Sequence, residues 1–192
     1  GVRSAAMHRG AFATLGRRSL AHVAAPLEVT LALIKPTVCA YEPNIQYALK
    51  QIRERTDLQV VQRQHQIVRT KPFVWTEEDA ARFYAEHLGK FYYDRLILGM
   101  TAGRALGLCL AGPNAIATWR GLIGPTKAYR AVYEAPACLR AQLGMGDTRN
   151  GFHGSDSTES ALRELSLVFP EWDVDTWFEK AQEGYRTTTH MH

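Results

Sequence analysis

At 192 residues, 46% apolar and 22% charged, the chain has the length and composition of one globular domain with short extensions. No run approaches the roughly 18 consecutive apolar residues of a membrane-spanning helix, so no membrane span is expected. The net charge of +4 suggests an acidic partner, but residues 1–27 carry Arg3, Arg9, Arg17 and Arg18 and no acidic residue; setting those four aside leaves 19 basic against the 19 acidic side chains. The body is neutral, which makes nucleic acid an unlikely partner on charge grounds.

Residues 1–26 form a basic segment rich in Arg, Ala and Ser, with Phe12, Leu15, Leu20 and Val23 among the arginines. This is the composition of a mitochondrial transit peptide and predicts a matrix protein; a plastid address is built alike, and a disordered arm of a cytoplasmic protein is the plainer alternative.

Ordered structure is predicted from Leu27. Residues 28–35 (EVTLALIK) read as a strand stopped by Pro36, and Ile45, Ala48, Leu49 and Ile52 give a helix. Residues 58–68 alternate and read as a second strand. Thr76 with Asp79 three residues on resembles a capping box opening a helix through His87. A helix over 92–101, a buried strand over 105–111 and a short helix over 113–120 follow. The stretch 121–148 is rich in turns, with a helical piece near 137–143. Residues 149–153 read as a fourth strand, and Asp156 or Ser157 caps a last helix with Leu162, Leu165 and Val168 on one face. Residues 171–192 show no periodicity and read as a C-terminal tail. The order predicts an α+β, ferredoxin-like fold: a four-stranded antiparallel sheet, with helices expected on one face, spanning 27–170.

Cys39, Cys109 and Cys138 are far apart and form no C-x-x-C pair, so neither a zinc site nor a disulfide framework is indicated. No P-loop and no G-x-G-x-x-G turn is present. A bound phosphate would therefore rest on side chains: Lys35 at the end of the first strand, with Arg120, Thr126 and Arg140 around the turn-rich stretch. The fourth strand presents His153 over the same face. In its Gly-Ser turn this histidine reads as a nucleophile, a metal ligand or a structural polar residue. As a nucleophile it needs a group to orient the ring, and Ser155 and Glu164 stand two and eleven residues on.

The run Asn150-x-x-His153-Gly154-Ser155-Asp156-Ser157, with Ala161 and Glu164 after it, resembles the active-site signature of the nucleoside diphosphate kinases. LALIKP (31–36), RFYAEH (82–87) and WRGLIGPT (119–126) fall in family order, and the likeness covers about residues 27–170. GPTKAYRA and LGMGDTRN look most like the divergent group II, type 6 branch.

The resemblance implies His153 as the phosphohistidine nucleophile, oriented by Glu164 and Ser155. It implies Lys35 and Asn150 on phosphate and ribose, and Arg120, Thr126 and Arg140 on the phosphates. It places Tyr92 under the base, with Leu96 beside it. The implied reaction is ping-pong transfer of a γ-phosphate from ATP or another nucleoside triphosphate to a diphosphate. Mg2+ would be carried by the nucleotide phosphates rather than by protein ligands. Leu88 is read as standing where typical members carry a tyrosine, with Tyr84 or Tyr93 as substitutes, and Asp147 where an apolar residue completes the base clamp. The alternative is a weakly active or inactive kinase-fold scaffold in a mitochondrial complex, with Tyr129, Val132 and Tyr133 facing a protein partner.

Overall fold

The computed structural model describes residues 25–54 and 66–189. Most of the basic N-terminal segment expected to be a targeting sequence and most of the expected strand at 58–68 lie outside the described residues. Four antiparallel strands, β1 (Leu27–Ile34), β2 (Gln66–Phe73), β3 (Ala105–Pro113) and β4 (Phe152–Gly154), form one sheet in the order β2-β3-β1-β4. This is the expected ferredoxin-like sheet. The nine helices among the described residues are α1 (Pro36–Cys39), α2 (Glu42–Glu54), α3 (Glu77–Phe83), α4 (Tyr93–Thr101), α5 (Ala115–Ile123), α6 (Ala128–Glu134), α7 (Leu139–Leu143), α8 (Thr158–Val168) and α9 (Val174–Thr189).

The helices cover both faces rather than one. Along β1 the pleat sends Val29, Leu31 and Leu33 into one apolar cluster and Ala32 and Ile34 into another. The first cluster holds Phe83, Met100, Leu165, Val168 and Phe178 from α3, α4, α8 and α9. The second holds Val38, Ile45, Trp119, Leu139 and Phe152 from α1, α2, α5, α7 and β4. A strand buried on both sides reads as an unbroken apolar run, and LALI is one.

β2 ends further along the chain than expected, and it includes Pro72. Proline cannot donate to a ladder, but β2 is an edge strand, where one side needs no partner. Thr76 and Asp79 do form a capping box, with each side chain accepting from the other's backbone N–H. The helix it opens is shorter than expected, giving way to a 3-10 turn over Ala85–His87. α6 was hidden in the turn-rich stretch because the residues it buries are only Ala128 and Ala131. Ser157, not Asp156, caps α8, accepting from the Ser160 N–H.

The C-terminal segment is a helix docked on the domain. Val174 and Phe178 are buried, Trp172 packs on Phe169 and Trp177, and Arg69 of β2 lies 4.6 Å over the Trp172 ring. Lys71 of β2 pairs with Glu171 at 2.8 Å. No helix among the described residues is long and apolar enough to cross a membrane.

Phe178→Ala tests whether this segment belongs to the cooperative fold. Removing a buried phenyl ring costs about 3–5 kcal/mol, so the urea midpoint falls while the slope of the transition is kept. A midpoint equal to wild type would mean that α9 is independent of the domain.

Candidate active site

β4 is only three residues long, and three contacts hold it. Its register with β1 pairs Ile34 with Phe152, Leu33 with His153 and Ala32 with Gly154. One residue on, the Ser155 hydroxyl takes over from the ladder and accepts from the Leu31 N–H at 3.1 Å. Behind the strand, the Trp119 indole donates to the His153 carbonyl at 2.9 Å. Residue 154 is glycine because a Cβ there would lie 2.5 Å from the Trp119 ring. The imidazole of His153 is thereby carried out over the sheet on a fixed backbone, edge-on to Phe83 with ring centroids 5.0 Å apart.

The Nε2 atom of His153 lies 2.8 Å from Glu164 Oε2, and the Ser155 hydroxyl donates to the same oxygen at 2.7 Å. Glu164 is 3% exposed and Ser155 fully buried. An ionised carboxylate only accepts, so the pairing puts the ring proton on Nε2 and leaves Nδ1 with its lone pair free. No described residue hydrogen-bonds Nδ1, and His153 lines a cleft of about 780 Å³.

The cleft gathers nine of the ten residues singled out from the sequence: Lys35, Tyr92, Leu96, Arg120, Thr126, Arg140, Asn150, His153 and Glu164. The tenth, Ser155, lies beneath the floor. Lys35 Nζ donates to Asn150 Oδ1 at 3.0 Å, and the Asn150 amide donates to the Thr126 carbonyl at 3.1 Å. Arg140 donates to the Gly124 and Phe152 carbonyls, while its buried Nε has no partner. Gly124 has φ +78, and a side chain there would run into Cys138. Arg120 donates to the Gly154 carbonyl at 3.3 Å.

Three cations therefore converge on one histidine. Burial pushes the Lys35 ammonium down to about 7, and Arg140 pushes the same way. Arg140 is lowered to about 10 by burial and by Arg120 beside it. Cations held together against their own repulsion and desolvation favour an anion between them. Among the described residues no group of three His, Cys, Asp and Glu side chains gathers where a metal ion would sit.

The other lining residues are less legible in the sequence. Tyr84 is buried, packs edge-on against Phe83, and has a hydroxyl with no hydrogen-bond partner. It lines the cleft, whereas Tyr93 does not and Leu88 is 72% exposed. Of the two tyrosines weighed as substitutes, the fold thus brings in Tyr84; the RFYAEH run was the signal. Phe91, Arg95 and Lys127 line the mouth with no sequence pattern to mark them, beside Asp147, which the resemblance had put at the base clamp.

The comparisons with known proteins agree with the geometry. The family model described as nucleoside diphosphate kinase matches residues 28–174. The chain belongs to the nucleoside diphosphate kinase family. It is 44% identical over 162 residues to nucleoside diphosphate kinase 6 of Xenopus tropicalis, covering 84% of this chain and 86% of that one. Against nucleoside diphosphate kinase 6 of Homo sapiens the identity is 41% over 160 residues, covering 83% and 82%. A crystal structure of the Aquifex aeolicus nucleoside diphosphate kinase superposes with a TM-score of 0.64 at 34% identity, covering 74% of this chain and 95% of that one. Family and fold are those of a kinase-type enzyme, and the likeness to the type 6 branch agrees with these relatives.

Lys35 gives this nucleoside diphosphate kinase domain a pH signature. Its folded-state value of about 7 lies below that of an unfolded lysine, so between about pH 7 and 10 the unfolded chain holds more protons. The stability gained by keeping Lys35 neutral is full above that window and is lost progressively as pH falls across it, the loss being complete once pH is below the folded value of about 7. Unfolding free energy therefore rises with pH there, by up to about 1.4 kcal/mol per unit, and Lys35→Met flattens the rise. Parallel urea titrations of both proteins across the window check this; identical slopes would refute it.

Proposed function

We propose that the chain is a nucleoside diphosphate kinase working by a ping-pong mechanism through phospho-His153. The observation that carries this reading is the Glu164–His153 contact of 2.8 Å, which leaves Nδ1 in a cleft shared with Lys35, Arg120 and Arg140. The Nδ1 lone pair attacks the γ-phosphorus, the bond to the β,γ-bridging oxygen breaks, and the nucleoside diphosphate leaves. The ring becomes positively charged, and the Glu164 carboxylate on Nε2–H compensates that charge without taking the proton. A second diphosphate then takes the phosphoryl group in the reverse step.

The substrate is the magnesium complex of the nucleotide, whose ion neutralises phosphate charge. Lys35, Arg120 and Arg140 supply the remaining positive charge, and Asn150 holds Lys35 in place. Binding of phosphate favours the ammonium form of Lys35. Tyr92 offers the base an aromatic face with Leu96 beside it. Tyr84 lines the cleft with its hydroxyl buried and unpartnered, which supports a donor role for it in place of the tyrosine of typical members. The basic composition of residues 1–26 supports a mitochondrial destination.

A second reading, a scaffold in a mitochondrial protein complex, draws on α6, which leaves Tyr129, Val132 and Tyr133 exposed. Self-phosphorylation separates the two. The full chain mixed with γ-labelled ATP and magnesium should acquire an acid-labile, alkali-stable label that leaves on adding a diphosphate. His153→Gln should acquire none. Glu164→Gln, which removes the compensating charge, should be labelled about 100-fold more slowly. A folded wild-type chain that binds nucleotide and takes no label would favour the scaffold.

A further inference from the structure

Beside the exposed Lys127, the mouth of the cleft carries Arg95 and Asp147, two opposite charges that phosphate transfer does not use. Tyr92, Arg95 and Leu96 lie one turn apart at the start of α4, at spacings that put them on one face of the helix. The loop between α7 and β4 brings Asp147 to the same cleft. Neither Arg95 nor Asp147 forms a hydrogen bond or ion pair with any described residue, and both are exposed to the cleft and solvent. An unpaired carboxylate repels phosphate, so the part of the cleft that holds Asp147 suits the uncharged end of a nucleotide.

Resting on the kinase reading, in which the base stacks on Tyr92, we propose that Asp147 and Arg95 read the edge of that base and make the site prefer guanine. A carboxylate needs donors, and guanine sets two side by side, the N1–H and the N2 amino group. Adenine and cytosine offer an amino group next to a bare ring nitrogen that repels a carboxylate, and uracil flanks its one N–H with two carbonyls. A guanidinium needs acceptors, and guanine presents O6 and N7 together, the pair that arginine takes in a bidentate contact. Both charges at the mouth thus complement one base.

The test is calorimetric binding of GDP, IDP, ADP and UDP to the full chain with magnesium at one salt concentration. IDP keeps N1–H, O6 and N7 but lacks the N2 amino group, so it isolates the N2 half of the contact to Asp147. GDP is expected to bind about tenfold tighter than IDP, ADP or UDP, at the low end of what a bidentate contact gives because the site is open to water. Asp147→Ala should bring GDP to within about twofold of IDP, and Arg95→Ala should weaken GDP and IDP alike. Four diphosphates binding within about twofold of each other in the wild type would overturn base reading and leave the kinase reading intact. So would an Asp147→Ala loss of equal size for all four, which would place the carboxylate on the ribose. If none of the four binds, the kinase reading fails and this inference with it.

Discussion

Everything at the site depends on one buried carboxylate. Glu164 sits at 3% exposure with two hydrogen-bond partners, the His153 ring and the Ser155 hydroxyl, on one oxygen and the Arg163 guanidinium 3.7 Å from the other. A buried charge is tolerable only when hydrogen bonds replace its water. Those bonds come from β4 and the residue after it, and Ser155 in turn accepts from the backbone of β1. One carboxylate therefore joins α8, β4 and β1, and aims a histidine as a by-product of being satisfied. The arrangement explains why so short a strand can carry a reactive side chain without wandering.

The cations show the opposite policy. Lys35, Arg120 and Arg140 are held near one another with no carboxylate in salt-bridge contact among the described residues, Asp156 acting on Arg120 from further off, and two of them are pushed toward their neutral forms. Arg140 spends its donors on the Gly124 and Phe152 carbonyls, which fixes its plane, yet its Nε stays buried without a partner. The charge imbalance and the orphaned Tyr84 hydroxyl are what an anionic ligand would relieve. Local rules are broken where binding is expected.

The two faces of the sheet divide the labour. One carries the cluster of α3, α4, α8 and α9, which supplies Glu164, Phe83 and the tyrosines of the cleft. The other carries α5 and α7, which supply Arg120 and Arg140 and the indole that braces β4. The cleft forms where both layers reach the same strand end, so neither cluster alone could build it.

The sequence by itself determined the sheet, the capping box at Thr76 and the identity of the chemical residues, because these depend on local pattern. An apolar run such as LALI, a Thr-x-x-Asp spacing and an Asn-x-x-His-Gly-Ser-Asp run are all legible without knowing what lies across the fold. It did not determine that helices cover both faces, that α9 docks, or where β2 lies, since an edge strand with a proline and a helix burying two alanines leave little periodic trace. Nor did it single out Tyr84 over Tyr93, or show Arg95 and Asp147 at one mouth. Those residues meet only through tertiary contacts between segments about fifty to sixty positions apart, and distance along the chain carries no record of which side chains burial will bring together.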